Sequence, residues 1–337
     1  MTDTVVVLPR RRSRRLAALG VAAVLVAVGG TLVARHVLDG PGDGNPFAGR
    51  SLLVTPEPRL VAAAQQAAAD GDQRRSTQLE RLAVVPTGTW LLPEQHPTPA
   101  DVGAYVTDVV QRAAGQDATA VLVVYAIPDR DCSGGLSSGG LAAEEYVPWV
   151  RAVASAAADE HAVVVLEPDA LVSADQCGLA DARTAQLGDA VAALADAGAA
   201  TYVDAGHSAW RDADEVADLL EGVGVERVRG FSVNVANYQP TAVERQWAEQ
   251  VSTAVGGAHF VVDTGRNGAA GGRVDEWCNP PGQALGSEPG AVTDATRLDA
   301  LLWVKPPWES DGTCQGGPEA GQLWLERVVD LATAAGW

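Results

Sequence analysis

Short runs rich in Val, Leu and Ile recur along the chain, each followed by a polar loop and most by an Ala-rich stretch with helical spacing. The apolar runs are Leu82–Val85, Ala120–Ala126, Ala162–Leu166, Ala200–Val203, Gly230–Val233, His259–Val262 and Leu301–Val304. Candidate helices lie at Glu144–Glu160, Ala182–Ala197, Asp214–Gly222, Thr241–Val255 and Glu319–Ala335. This alternation predicts parallel strands joined by right-handed crossovers, in either an open doubly wound sheet or a closed β/α barrel. The runs are apolar on both faces, as strands covered by helices must be.

The chain of 337 residues is 47% apolar and 20% charged, a globular composition. Its net charge of -19 repels nucleic acid and other polyanions. The N-terminus departs from this acidity. Five arginines between Arg10 and Arg15 precede a 19-residue uncharged, mostly apolar run from Leu16 to Ala34. That is the layout of an export signal, either cleaved near Ala27–Gly29 or kept as a membrane anchor. The expected organisation is therefore an export segment over residues 1–38, a Gly/Pro linker over 39–44, and one domain over 45–337, working outside the cytoplasm as a monomer. Cys132, Cys177, Cys278 and Cys314 make an even count in an exported chain. Of three connectivities, Cys132 with Cys177 and Cys278 with Cys314 closes the shortest loops.

In a barrel, the residues that follow each strand face one rim, where active sites are built. Here they include Trp90; Tyr125, Arg130 and Asp131; Glu167 and Asp169; Asp204, His207 and Trp210; Asn234 and Asn237; Asp263 and Arg266; and Lys305, Glu309 and Asp311. Polar strand ends are expected wherever strands meet water. The tryptophans are not, and Trp90, Trp210, Trp277 and Trp308 in loops suit the apolar faces of sugar rings. Lys305 is the single lysine beside 23 arginines, which suggests a position that requires a compact ammonium. Crowded carboxylates in a cleft are pushed to different pKa values, the condition for an acid and base pair. Other chemistries fit less well. The G-x-S-x-G string at Gly135–Gly139 lies well after its strand instead of on a strand-to-helix turn. The histidines show no metal-ligand spacing, and no Gly-rich phosphate or dinucleotide loop is present, so no metal or cofactor is expected.

Several strings resemble the cellulases of glycoside hydrolase family 6: VVYAIPDRDCSGG (Val123–Gly135), VVLEPDAL (Val164–Leu171), VDAGHSAW (Val203–Trp210), GFSVNVANY (Gly230–Tyr238), DTGRNG (Asp263–Gly268), EWCNPPGQALG (Glu276–Gly286) and LLWVKPPWESDG (Leu301–Gly312). The resemblance covers residues 45–337. It implies a distorted barrel of seven parallel strands and inverting cleavage of a β-1,4-glucan, endo-acting or, alternatively, an exo-acting cellobiohydrolase. A non-catalytic cell-surface glucan binder is the reading from another class. By resemblance Asp169 is the general acid, Asp131 raises its pKa and relays a proton, Asp311 matches the aspartate proposed as base, and Tyr125 distorts the reactive sugar. Trp90, Trp210 and Trp277 resemble stacking platforms, and His207, Asn237, Lys305 and Glu309 resemble hydroxyl-binding residues. Arg130, Asp204 and Asp263 occupy supporting positions, and the four cysteines fall where the family has its two disulfides. Trp308 stands where the family generally has glycine, which predicts a reshaped Asp311 loop or an added sugar site.

Overall fold

The computed structural model describes residues 1–2, 44–132, 135–269, 271–293 and 297–337. The expected export segment or anchor, and all of the linker except Gly44, lie outside the described residues apart from the first two. Among the described residues no helix is long and apolar enough to cross a membrane. Residues Asn45–Trp337 form one compact unit.

Among the described residues nine strands make one sheet: β1 Ser51–Leu52, β2 Thr89–Leu91, β3 Ala118–Val124, β4 Ala162–Leu166, β5 Ala200–Asp204, β6 Gly230–Val233, β7 His259–Asp263, β8 Gly290–Ala291 and β9 Leu298–Leu302. Their order is β1, β3, β4, β5, β6, β7, β9, β8, with β2 also paired to β3. Every pairing is parallel except the short β8 on β9. The helices are α1 Pro58–Ala69, α2 Gln73–Leu82, α3 Pro99–Gly115, α4 Ala143–Ala157, α5 Ala180–Ala197, α6 Ala213–Gly222, α7 Thr241–Ala254 and α8 Leu325–Ala334.

The main strands are buried along their length because both faces meet apolar layers. Val121, Val123, Val163, Val165, Tyr202, Val261, Ala300 and Leu302 turn inward with Phe47 into a cluster that contains no helix residue, the filled interior of a barrel. Leu122, Val124, Val164, Leu166, Phe231 and Phe260 turn outward against the helices. At the N-terminal end of the strands Asp299 accepts from Tyr202 Oη at 2.7 Å and Arg229 Nε at 2.8 Å, and Asn45 Nδ2 donates to Asp299 O at 2.7 Å.

The barrel is almost closed. Between β2 and β9 the seam is bridged by Gly88 N donating to Trp303 O, and by the Trp90 indole donating to Val304 O, each at 2.9 Å. A Cβ at Gly88 would stand 2.4 Å from Val304 O, so only glycine permits that approach.

Two expectations need correction. Leu82–Val85 is not a strand: it is the end of α2 and the turn after it, and the first long-paired strand is β2. Leu82, Ala83 and Val85, with Leu79, are buried in the core shared with α1 and α8, whereas Val84 is exposed. A short apolar run does not distinguish strand from helix. The count of seven parallel strands reaching the rim survives because β2 takes that place. Second, the C-terminal helix begins at Leu325 and not Glu319.

Candidate active site

Buried carboxylates staple the strand ends together. Glu167, after β4, accepts the N–H of Ala126 after β3 at 3.0 Å. Asp204, ending β5, accepts from Asp169 N at 2.9 Å, Gly206 N at 3.1 Å and Ser232 Oγ at 3.1 Å. Asp263, ending β7, accepts from Ala236 N at 3.1 Å, Gly265 N at 3.0 Å and Lys305 N at 3.0 Å. Backbone N–H groups that leave a ladder inside the protein need such acceptors. The chain between the staples is strained: Asp129, Asp131, Glu167, Asp169, Asn234 and Ala236 all have φ between +50° and +67°. Each such conformation costs of order 1–3 kcal/mol and persists only where the surroundings impose it.

These ends surround a pocket of about 90 Å³ lined by Trp90, Tyr125, Asp131, Asp169, Asn237, Trp277, Lys305 and Asp311. Eight of the residues singled out by sequence therefore meet in one place. Arg130 and Glu309 line the adjoining cleft, and Asp204 and Asp263 lie buried beneath. His207 and Trp210 pack on each other, ring centroids 5.5 Å apart, on the loop after β5 and outside that lining. Burial holds His207 down at about 4, reinforced by Arg273, so it presents a neutral imidazole near pH 7.

Asp169 lines this pocket, and its Oδ1 is shut off from solvent with no hydrogen-bond partner among the described residues. Burial pushes its carboxyl well above the usual range, and the neighbouring Asp204 and Asp131 charges push it further, against Lys305. The site thus favours the acid form of Asp169. Asp131 accepts Ser137 N at 2.6 Å through Oδ2. Tyr125 stands between them in charge, its phenol raised by burial and by both aspartates, with Trp90 edge-on at 5.2 Å.

Asp311 is held differently. Its Oδ1 accepts from Arg266 Nη1 at 2.8 Å, with Lys305 Nζ at 3.8 Å, and its Oδ2 accepts from Tyr238 Oη at 2.6 Å and Asn279 N at 3.0 Å. Burial alone would raise this carboxyl, but Arg266 and Lys305 bring it below the ordinary aspartate value. A carboxylate with its acceptor sites filled and its pKa lowered is a weak proton acceptor.

Two disulfides, Cys132–Cys177 and Cys278–Cys314, tie the Asp131 loop to the segment after β4 and the Trp277 loop to the Asp311 loop. Trp308 touches the adjoining cleft but lies mostly within the core. It is 4% exposed and packs with Leu60, Leu79 and Val328, so the extra volume completes the core under α1, α2 and α8. Sequence reasoning missed several supports: Glu94, which grips Arg130 at 2.7 and 3.0 Å; Tyr238 and Asn279 around Asp311; and Arg183, whose guanidinium holds Pro128 O at 2.6 Å and Asp129 O at 2.7 Å. Tyr238 and Asn279 stood within quoted strings, whereas Glu94 and Arg183 carried no local signal.

A parallel barrel with a strained aspartate of raised pKa among carboxylates and tryptophans at its C-terminal rim defines an acid-catalysing hydrolase site. The chain belongs to the glycosyl hydrolases family 6, whose model matches residues 47–335. It is 44% identical over 259 residues to endoglucanase A of Cellulomonas fimi, spanning 77% of this chain and 56% of that one. Endoglucanase A of Thermobispora bispora is 35% identical over 334 residues, 96% of this chain and 70% of the relative. The chain thus spans little more than half the length of the first of these. Among solved structures, the endoglucanase Cel6 of Mycobacterium tuberculosis superposes with a TM-score of 0.79 at 40% identity, covering 87% of this chain and all of that one.

Proposed function

We propose that this protein hydrolyses β-1,4-glucosidic bonds of cellulose or a related β-glucan, with inversion and within chains. The observation that carries the reading is Asp169, with an Oδ1 that has no partner among the described residues, in the lining of a pocket flanked by Trp90, Trp277 and Tyr125. The Asp169 proton passes to the glycosidic oxygen as the bond from that oxygen to the anomeric carbon breaks. Water attacks the anomeric carbon from the opposite face and yields the inverted hemiacetal. The proton lost by that water travels to Asp131, whose second oxygen is not held by Ser137, and Asp311 serves as a fixed negative charge that orients Lys305. Tyr125 limits the room for a relaxed chair, and the indoles receive the sugar faces.

The names of the relatives support this substrate, and the Mycobacterium structure holds a methyl cellobiosyl-thio-cellobioside. Endo action is supported by the open cleft of about 640 Å³ that continues from the pocket. The exo reading has its own support in a cellobiohydrolase of Podospora anserina, 31% identical over 86% of this chain. Two disulfides support work outside the cytoplasm, secreted or tethered to the membrane. Viscosity loss and reducing-end release on a soluble β-1,4-glucan test the reading. Viscosity should fall steeply before much sugar is released, and Asp169→Ala should lose nearly all turnover; unchanged turnover would overturn it.

A further inference from the structure

Asp129 is strained for no purpose of its own side chain. Its φ is +52°, its side chain is exposed, and it lines neither the pocket nor the adjoining cleft. Such a conformation persists only where the surroundings impose it. Here the imposing group is Arg183, near the start of α5 and 1% exposed. Its Nη1 donates to Pro128 O at 2.6 Å and its Nη2 to Asp129 O at 2.7 Å. These carbonyls belong to the two peptide groups on either side of the Asp129 Cα, so the fork fixes both backbone torsions of that residue. A planar guanidinium holds two acceptors at a set spacing, which an ammonium does not.

The position is unfavourable for a cation. Burial works against the charge of Arg183, and Glu167 after β4 works for it. The start of a helix carries the positive end of its dipole, which opposes a cation there as well. What this placement provides is a hold on the turn that leads to Asp131. Two residues before Asp131, Asp129 is fastened to Arg183, and directly after it Cys132 is bonded to Cys177. Cys177 and Arg183 lie on one short segment, downstream of Asp169 on the connection from β4 into α5. The chain that carries Asp169 therefore grips Asp131 from both sides, in addition to the pairing of β3 with β4. Asp131 itself has a φ of +53°, so the aim of its carboxylate depends on the backbone before it.

We propose that Arg183 is a positioning residue for the reaction: by clamping the peptide groups around Asp129 it sets where the Asp131 carboxylate stands relative to Asp169. It lines neither the pocket nor the cleft and acts only through that turn. The proposal rests on the glucanase reading and deepens it, because it makes the separation of the two aspartates a property of the β4–α5 connection as well as of the sheet.

Arg183→Lys keeps the cation and loses the fork. On a soluble β-1,4-glucan its kcat should fall about 10- to 100-fold, the effect of a displaced reacting group, with KM little changed because the indoles are untouched. In an Asp131→Asn background the same substitution should cost less than about twofold, since the carboxylate it positions is gone. Exchange of the Ser137 amide hydrogen, held by Asp131 Oδ2 at 2.6 Å, should speed up about tenfold, the worth of one hydrogen bond, while the amides of β3 and β4 keep wild-type rates. Should the lysine variant not fold, Arg183→Gln repeats the comparison without a buried cation; Glu167, lifted to about 7 by burial, can then take up a proton. An equal loss in both backgrounds, or an unchanged Ser137 exchange rate, would overturn the proposal and leave Arg183 a purely structural residue. A wild type inactive on the glucan would overturn the glucanase reading, and Ser137 exchange would still decide whether Arg183 places Asp131.

Discussion

Asp204 accepts the backbone N–H of Asp169 at 2.9 Å, so the end of one strand holds the loop that carries the proposed acid of its neighbour. Burial lifts Asp204 itself to about 7 against its three donors, and its charge helps to raise Asp169. Asp204→Asn keeps an acceptor oxygen and removes the charge. The acid works while protonated, so losing a neighbouring anion lowers its pKa and brings forward the loss of activity on the alkaline side. The alkaline limb of kcat/KM should move to lower pH, and an unmoved limb would detach Asp204 from the acid.

Asp169→Asn should separate protonation from binding. A positioned general acid contributes roughly 10²- to 10⁴-fold, so turnover of natural glucan should fall by about that factor with KM little changed. A dinitrophenyl cellobioside has a leaving group that needs no proton. Its hydrolysis should fall far less, and equal losses on both substrates would argue that Asp169 serves structure.

Arg266 and Asp311 form a buried pair, 3% and 6% exposed. Arg266→Ala would leave an uncompensated buried carboxylate and should cost about 3–5 kcal/mol in denaturant unfolding. Because both Asp311 oxygens are engaged, Asp311→Asn should not be rescued by azide, whereas a variant that lacks a true base leaves room for a small anion to attack. Formation of an inverted glycosyl azide would restore Asp311 as the base.

Glu244, on α7, is fully buried and accepts Ser208 N at 3.0 Å and Ser208 Oγ at 2.5 Å, which anchors the loop of His207 and Trp210. Burial raises its carboxyl to about 7 from an ordinary value near 4.5. The folded state therefore binds the proton more tightly than the unfolded chain between these values. The stability this contributes is complete below about pH 4.5 and is lost as pH rises through 7. Glu244→Gln keeps the acceptor without the titration, so the fall in thermal midpoint between pH 5 and 8 should be shallower than in the wild type; parallel curves would remove Glu244 as a source.

Much of the rim was legible from local strings. Tyr125, Asp131, Asp169, Lys305 and Asp311 all lie on segments leaving the C-terminal ends of strands, and strand direction alone sends such segments to one end of a barrel. Leu82–Val85 misled because four apolar residues suit a strand and a helix equally, and only the packing of α2 on α1 and α8 decides between them. Trp308 was ambiguous for a related reason: only its neighbours show that most of an indole beside Pro and Glu completes the core while it also reaches the cleft.

By itself the sequence determined the alternation that makes a parallel barrel, the cysteines available for two bridges, and which side chains leave the strand ends. Tertiary structure alone decided that the carboxyl of Asp169 is pushed up while that of Asp311 is pulled down, that Glu94 and Arg183 support the Asp131 loop from distant segments, and that the groove runs on past Trp90. Periodicity and strand direction act over a few residues and can be read along the chain. Desolvation, ion pairing and cavity shape depend on groups brought together from dozens or hundreds of residues apart, and these exist only once the chain has folded.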